Sequence, residues 1–219
     1  MTVALAAVTD TDSLAEQAYR SLEEQLVTLK LAPGELISEK DLVGLLGIGR
    51  TPVREAIQRL SADGLLQVLP RKGLMVTPMR RSDLSRIIEA RRVLERLLVV
   101  KAAERATPEQ RRDLQRLARD LLTAHDDLDY FFQLDQRLNQ LLEKACDNHF
   151  LVNALTAMHC QCRRLWYYHR NQLNLPRSAE LHGGLAGAVA AGDPAGAIRA
   201  SDEIIGILEG LITQMDVLS

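Results

Sequence analysis

The sequence predicts a mainly α-helical protein of two parts, an N-terminal winged helix-turn-helix and a C-terminal all-α antiparallel helical bundle. Three observations lead there. Leu, Ala, Arg and Glu dominate a chain of 219 residues that contains only 13 Gly and 7 Pro, too few turn residues for a many-stranded β architecture. Apolar residues recur at helical spacing over most of the length, and after Gly64 the pattern shifts briefly to a period of two. At 47% hydrophobic and 26% charged residues the chain can bury a sizeable core, which excludes disordered and collagen-like classes.

Ser13-x-x-Glu16 reads as a capping box opening a first helix, whose apolar face is Leu14, Ala18, Leu22, Leu26 and Leu29 and which ends before Pro33-Gly34. Ser38-x-x-Asp41 opens a short second helix with Leu42, Leu45 and Leu46 inward and Gly47 as a left-handed C-cap. A tight turn, Gly47-Ile48-Gly49, comes next. Thr51 then serves as N-cap with Pro52 at the first helical position, and Val53, Ala56, Ile57 and Leu60 form the buried stripe of a third helix, with Arg54 and Gln58 on its opposite face. Leu66 and Val68, then Leu74 and Val76, alternate across Pro70-Arg71-Lys72-Gly73, which reads as two short strands joined by a basic turn. Three helices and a hairpin compose the winged helix-turn-helix, assigned to residues 1–78 and ordered from about 13. Pro78 interrupts the periodicity, residues 79–82 read as a linker, and Ser82 is placed to cap the next helix.

Residues 83–219 carry only helical patterns. Leu84, Ile87, Ile88, Arg91, Leu94 and Leu98 suit one helix, and Thr107-Pro108-Glu109 starts another that runs through Leu114, Leu117 and Leu121. Phe131, Leu134, Leu138, Leu141 and Leu142 outline a third, and Phe150 to Tyr168 a fourth. Pro176 breaks the chain before Ala179 to Ala191, and Asp193-Pro194 caps a final helix reaching Met215. About six helices with mostly short connections make an antiparallel bundle the economical arrangement.

With Lys+Arg 27 against Asp+Glu 29, the formal net charge is −2, so a nucleic-acid site must be a local patch. Met1 to Val8 is apolar but lacks the basic region of a secretory signal, and apolar runs such as Leu97 to Val100 fall far short of the roughly 18 to 20 residues of a membrane span. A cytoplasmic protein with no membrane partner is expected. Cys146, Cys160 and Cys162 then read as buried free thiols, the alternative being that Cys160-x-Cys162 is half of a metal or redox pair.

The local patch exists. Residues 50–81 hold Arg50, Arg54, Arg59, Arg71, Lys72, Arg80 and Arg81 against Glu55 and Asp63, a local net of +5. Arg50 and Arg54, one turn apart at the start of a helix with Thr51 between them, can set guanidinium forks at a guanine edge while the hydroxyl and helix N-terminal amides bind phosphate. On spacing alone the same charges equally suit a solvated helix face.

Ser38-Glu39-Lys40-x-Leu42-x-x-x-Leu46-Gly47-x-x-Arg50-Thr51-Pro52-Val53-Arg54-Glu55-Ala56-x-x-Arg59-Leu60-x-x-x-Gly64-Leu65 closely resembles the DNA-binding domain of the GntR family of bacterial transcription regulators, and residues 83–219 look like the FCD-type effector domain of its FadR subfamily. The resemblance implies a homodimer on a pseudo-palindromic double-stranded operator that responds to a small-molecule effector. Carried over by position, it implies DNA contacts at Lys40, at Arg50, Thr51 and Arg54 on the recognition helix, and at Arg71, Lys72 and Gly73 in the wing. Gly49 departs from the family's usual Ser or Thr, which removes one phosphate contact or shifts capping to Thr51.

Effector domains of this kind often hold zinc, nickel or manganese with an Asp and a His one turn apart on one helix and a His on each of two later helices. Asp135 matches the Asp and His182 one His, but Asn139 and Ile204 stand where the others are expected. The metal site is therefore read as degraded, with Asp202, Glu203, His159 or His169 as nearby substitutes. The implied effector pocket is Asp135, Asn139 and His182, joined by Arg164 and Tyr168 from the cluster Arg163, Arg164, Trp166, Tyr167, Tyr168, His169. That cluster also suits a partly exposed or dimer-facing surface. Arg91 and Glu95 read as a buried polar pair. A repressor of a metabolic operon, released by a small carboxylate metabolite, is the leading expectation. The alternatives are a constitutive DNA-binding dimer whose effector domain only dimerises, and a metal-dependent bundle enzyme.

Overall fold

The computed structural model describes residues 13–215, so the readings of Met1 to Val8 and of the outermost residues of both parts lie outside the described residues. The chain divides into two compact units: residues up to Arg80 together with His159–Tyr168, and Arg81–Met158 together with residues from His169 onward.

The first unit contains α1 (Leu14–Val27), β1 (Leu36–Ile37), α2 (Glu39–Leu46), α3 (Arg50–Ala62), β2 (Leu66–Leu69) and β3 (Gly73–Val76). Ala18, Leu22 and Leu26 of α1 share one core with Val53, Ala56, Ile57 and Leu60 of α3, as their spacing predicts. Leu14, at the head of the predicted face, is 57% exposed. The Ser13 hydroxyl accepts from the Glu16 amide at 3.2 Å, but the Glu16 carboxylate is drawn to Arg20 and Arg59 instead of closing the capping box. At α2 the box is complete, with Ser38 and Asp41 bonded reciprocally, and Gly47 ends the helix in the left-handed region at φ 64°. Leu45 corrects its reading: it is 53% exposed, because α2 packs on α3 along a stripe wide enough for Leu42 and only part of Leu46.

Thr51 is not the N-cap of α3. Gly49 holds that place with an extended backbone, Val53 N–H closes the first turn onto the Gly49 carbonyl at 3.3 Å, and Thr51 and Pro52 lie inside that turn. Proline is tolerated there because first-turn amides have no intrahelical acceptor. The hairpin β2–β3 forms as its alternation predicts, and a third, two-residue strand joins it, giving the antiparallel order β1-β3-β2. Gly73 serves this sheet: at φ 93° it lies so close to β1 that a Cβ would meet the Ile37 carbonyl at 3.0 Å.

The second half of α7 (His149–Tyr168) completes the unit. Cys160 joins its core and donates its thiol to Glu23 at 3.2 Å, and Arg163 pairs with Glu23 and Glu24. Gln161 donates to the Gly64 carbonyl at 3.0 Å, before the wing, and Arg164 to the Thr77 carbonyl at 2.6 Å, after it. All three cysteines are free and buried. Burial pushes the thiols of Cys146 and Cys160 up, Cys160 further because Glu23 faces it, so both stay protonated. Accordingly, Ellman's reagent should label neither in the native protein within minutes, and both after unfolding in guanidinium; fast native labelling of Cys160 would show that α7 leaves this core.

The second unit is a bundle of α4 (Arg81–Arg105), α5 (Pro108–Thr123), α6 (Leu128–Cys146), the first half of α7, α8 (Leu175–Ala191) and α9 (Pro194–Gln214), with a 3₁₀ turn at Arg170–Gln172. Thr107 and Gln110 form a capping box on α5, and Asp127, Asn174 and Asp193 cap α6, α8 and α9. Two boundaries differ from the sequence reading. Ser82 lies inside α4, which begins at Arg81, and Pro176 sits in the first turn of α8 instead of preceding it. Arg111 on α5 binds two helix ends at once, donating to the carbonyls of Ala103 and Ala106 near the end of α4 and of Val189 and Ala190 near the end of α8. Gly183 lets α8 approach α5, since a Cβ there would lie 3.2 Å from the Ala118 carbonyl.

Candidate functional site

In the first unit, α3 presents Arg50, Thr51 and Arg54 to solvent from its first two turns, Lys40 is exposed on α2, and Arg71, Lys72 and Gly73 are exposed at the wing tip. The buried stripe of Val53, Ala56, Ile57 and Leu60 fixes which side of α3 faces out. Arg71 adopts φ 65°, a left-handed conformation that a long side chain rarely takes, and the Lys72 amide closes the turn on the Leu69 carbonyl at 3.0 Å. The tip thus holds two adjacent cations on a tight turn.

One contact escaped the sequence reading. Glu39, at the start of α2, accepts from Arg54 Nε with both carboxylate oxygens, at 2.8 and 2.9 Å. The Arg54 side chain is 66% exposed, and the carboxylate beside it favours its charged form. Glu39 therefore steadies the Arg54 stem from the Nε side, an arrangement that suits a forked contact with a base edge. The residues are 15 apart in sequence, so no local pattern signals the pair.

In the second unit, α6 and α8 bring Asp135, Asn139 and His182 together. His182 Nε2 lies 3.4 Å from Asp135 Oδ1, and the Asn139 amide reaches the same oxygen at 3.5 Å. His182 Nδ1 faces the Ser178 carbonyl at 2.7 Å, which accepts only, so Nδ1 carries hydrogen and Nε2 turns to Asp135. Phe131 meets the imidazole edge-on at 5.1 Å. Arg91 and Glu95 form the expected buried pair at 2.9 Å. On α9, Ser201 is 2% exposed, and its hydroxyl has no hydrogen-bond partner among the described residues.

This donor set does not fit a tightly held metal: it offers one imidazole, one carboxylate and a weakly ligating amide. Among the described residues no group of three or more His, Cys, Asp or Glu is placed to hold an ion. The substitutes considered from sequence are engaged elsewhere. Asp202 is held by Arg96 at 2.9 Å and by Arg92, Glu203 pairs with Arg177, and His169 bonds Gln172 at 3.1 Å. His159 is buried in the first unit.

The two α7 residues of the expected pocket, Arg164 and Tyr168, belong to the first unit, whereas Asp135, Asn139 and His182 belong to the second. Arg164 is fully buried in the first unit, where it donates to Gln161 Oε1 and the Thr77 carbonyl, and Tyr168 closes α7 with 41% exposure. A wide, open cleft elsewhere on the bundle is lined by Asp126, Asp127, Asp129 and Arg170, too acidic to seat an anionic metabolite.

Comparison with known proteins matches both units. The model of bacterial regulatory proteins of the gntR family covers residues 14–76, and the FCD domain covers residues 86–206. The HTH-type transcriptional repressor RspR of Escherichia coli K12 is 31% identical over 139 residues, 63% of this chain and 61% of RspR. The E. coli HTH-type transcriptional regulator McbR is 35% identical over 114 residues, 52% of each chain. These matches span between half and two thirds of each relative's length. The solved structure of E. coli McbR superposes with a TM-score of 0.81 at 25% identity, covering 93% of this chain and 99% of that one. No described helix is long and apolar enough to cross a membrane.

Proposed function

Because this chain belongs to the gntR family of bacterial regulatory proteins and carries an FCD domain, we propose that it is a DNA-binding transcription regulator, a repressor of a metabolic operon that a small carboxylate metabolite releases. One observation carries the DNA reading: α3 exposes Arg50, Thr51 and Arg54 in its first two turns, with Arg54 braced by Glu39. In this reading α3 enters the major groove, Lys40 and the Arg71–Lys72 tip bind phosphates, and a homodimer places two such helices on a pseudo-palindromic operator. The relatives matched are transcription regulators and not enzymes, which speaks against the metal-dependent bundle enzyme.

The base-reading and phosphate-binding roles separate experimentally. Arg54→Ala is expected to cost about 1 to 3 kcal/mol of operator affinity and to relax base preference, whereas Lys72→Ala weakens all sequences alike and flattens the salt slope by about one unit. Glu39→Gln should raise non-specific affinity, by removing a negative charge near the phosphates, while lowering the ratio of specific to non-specific binding. Equal loss of specific and non-specific binding in Arg54→Ala, measured at several salt concentrations, would remove Arg54 from base reading.

Effector binding is proposed at Asp135, Asn139 and His182, where His182 is buried, Asp135 and Asn139 are half-buried, and Phe131 supplies an apolar wall. A thermal-shift panel of organic acids, sugar acids and acyl-CoA tests it. The incomplete donor set favours a second reading, a constitutive DNA-binding dimer, which a panel without a single stabilising compound would support.

A further inference from the structure

The wing is buried at its root and bare at its tip. Leu65, Leu66, Leu74 and Val76 lie in the core of the first unit, whereas Gln67, Val68 and the turn Arg71 to Gly73 are exposed. At about 3.3 Å per residue the strand from Gly64 to Leu69 is about 16 Å long, so turning the root by about 10° moves the tip by about 3 Å, the length of a hydrogen bond. Where Arg71 and Lys72 stand is therefore decided at the root. Two residues of α7 hold both ends of it. Gln161 Nε2 donates to the Gly64 carbonyl at 3.0 Å, where the chain enters the wing, and Arg164 Nη2 donates to the Thr77 carbonyl at 2.6 Å, where the chain leaves it. Arg164 Nη1 donates to Gln161 Oε1 at 2.9 Å, which joins the two into one bridge, and the Thr77 amide closes the root on the Leu65 carbonyl at 3.0 Å. Gln161 and Arg164, three positions apart, share one face of the helix.

The same stretch of α7 is tied to α1, through the Cys160 thiol on Glu23 and through Arg163 on Glu23 and Glu24, and α1 shares its core with α3. From its contact with α1, then, α7 reaches across to the two ends of the wing. We propose that Gln161 and Arg164 are positioning residues for DNA binding: their bridge sets the angle of the wing against α3, so that Arg71 and Lys72 meet backbone phosphates while α3 reads the groove. Neither residue is placed to touch DNA itself, since Arg164 is fully buried and Gln161 is half-buried with its amide on Gly64. A leucine or methionine at position 164 would fill the space without the cost of burying a charge. What the guanidinium adds is the link between the entering and leaving strands. The proposal rests on the DNA-binding reading of α3 and the wing, and gives α7 a part in it.

The test is Gln161→Met in the full chain, which removes both hydrogen bonds of the Gln161 amide at nearly constant volume. Hydrogen exchange of the free protein should show the amides of β2, β3 and Thr77 exchanging about fivefold faster, with those of α3 unchanged. Operator affinity, measured at several salt concentrations on DNA captured by the wild-type protein, should fall about fivefold, and the salt slope should flatten toward that of Lys72→Ala. Adding Lys72→Ala to Gln161→Met should then cost little more, because the wing has already lost its phosphate, whereas Arg54→Ala should cost as much in the variant as in the wild type. A residue that only stabilised the fold would lower the melting temperature and leave the losses of Gln161→Met and Lys72→Ala additive. Unchanged exchange in the wing would overturn the bridge and leave the DNA-binding reading standing. Faster exchange with fully additive losses would overturn its part in DNA binding. If Lys72→Ala costs the wild type nothing at any salt concentration, the phosphate-binding reading of the wing falls, and the positioning role falls with it.

Discussion

Asn139→His combined with Ile204→His is expected to raise affinity for zinc, nickel or manganese by about a thousandfold, equivalent to about 4 kcal/mol. Asp135 and His182 already stand 3.4 Å apart, and the Ser178 carbonyl orients the imidazole so that Nε2 points at the carboxylate, an outer contact of the kind that metal-ligating histidines use. Asn139 touches the same carboxylate oxygen, so an imidazole at that position starts within reach. Ile204 is buried on α9, which packs along α8. Without metal the double variant should melt lower than wild type, because one of its two added imidazoles replaces the buried Ile204; with metal it should melt higher, as RT ln(1 + [L]/Kd) requires. Wild type should gain little from added metal and lose little to a chelator. Elemental analysis showing one metal per wild-type chain would overturn the reading of the site as degraded, and no gain in the double variant would show that the four positions do not converge.

Arg164→Ala is expected to destabilise the native state by about 3 kcal/mol or more, read from urea unfolding. The guanidinium is fully buried, with Nη1 on Gln161 at 2.9 Å and Nη2 on the Thr77 carbonyl at 2.6 Å, while Nε and the Thr77 hydroxyl have no hydrogen-bond partner among the described residues. Truncation leaves a large cavity and an unsatisfied carbonyl. Burial also pulls the Arg164 pKa down to about 10, and a base whose native pKa lies below its unfolded value opposes folding at every pH beneath that native value. The penalty is therefore complete at pH 7 and fades only as pH rises past about 10. Arg164→Met, which keeps much of the volume and drops the charge, should lose clearly less than Arg164→Ala. Equal losses would mean that the hydrogen bonds, and not the filled space, dominate.

The expectations that held and those that failed divide by range. Ser38 with Asp41, the helix start at Thr107-Pro108, and the Val53, Ala56, Ile57, Leu60 stripe are settled within one turn, by residues at most three or four positions away. Thr51 failed as a cap because Ser, Thr and Gly compete for the cap position within a few residues, and the extended backbone at Gly49 decided the contest. β1 was illegible because a two-residue strand has no period. It exists because β3 offers an edge and Gly73 admits a close approach.

By itself the sequence determined the fold class, the order of nearly all helices, the exposed cations of α3 and the wing, and the juxtaposition of Asp135 and Asn139 one turn apart. Arg91 with Glu95, one turn apart, was legible as a pair, but only the tertiary structure decided the distant partners of charged side chains. Arg54 went to Glu39, 15 positions away, Arg164 to Thr77, 87 away, and Arg96 to Asp202, 106 away. A charged group takes whichever counter-charge or carbonyl the packing of the apolar stripes leaves within about 3 Å, a distance that hydrogen bonding demands and that spacing along the chain does not encode. Apolar periodicity chose the faces that touch, and their contact then chose which arginines of α3 were left exposed to solvent.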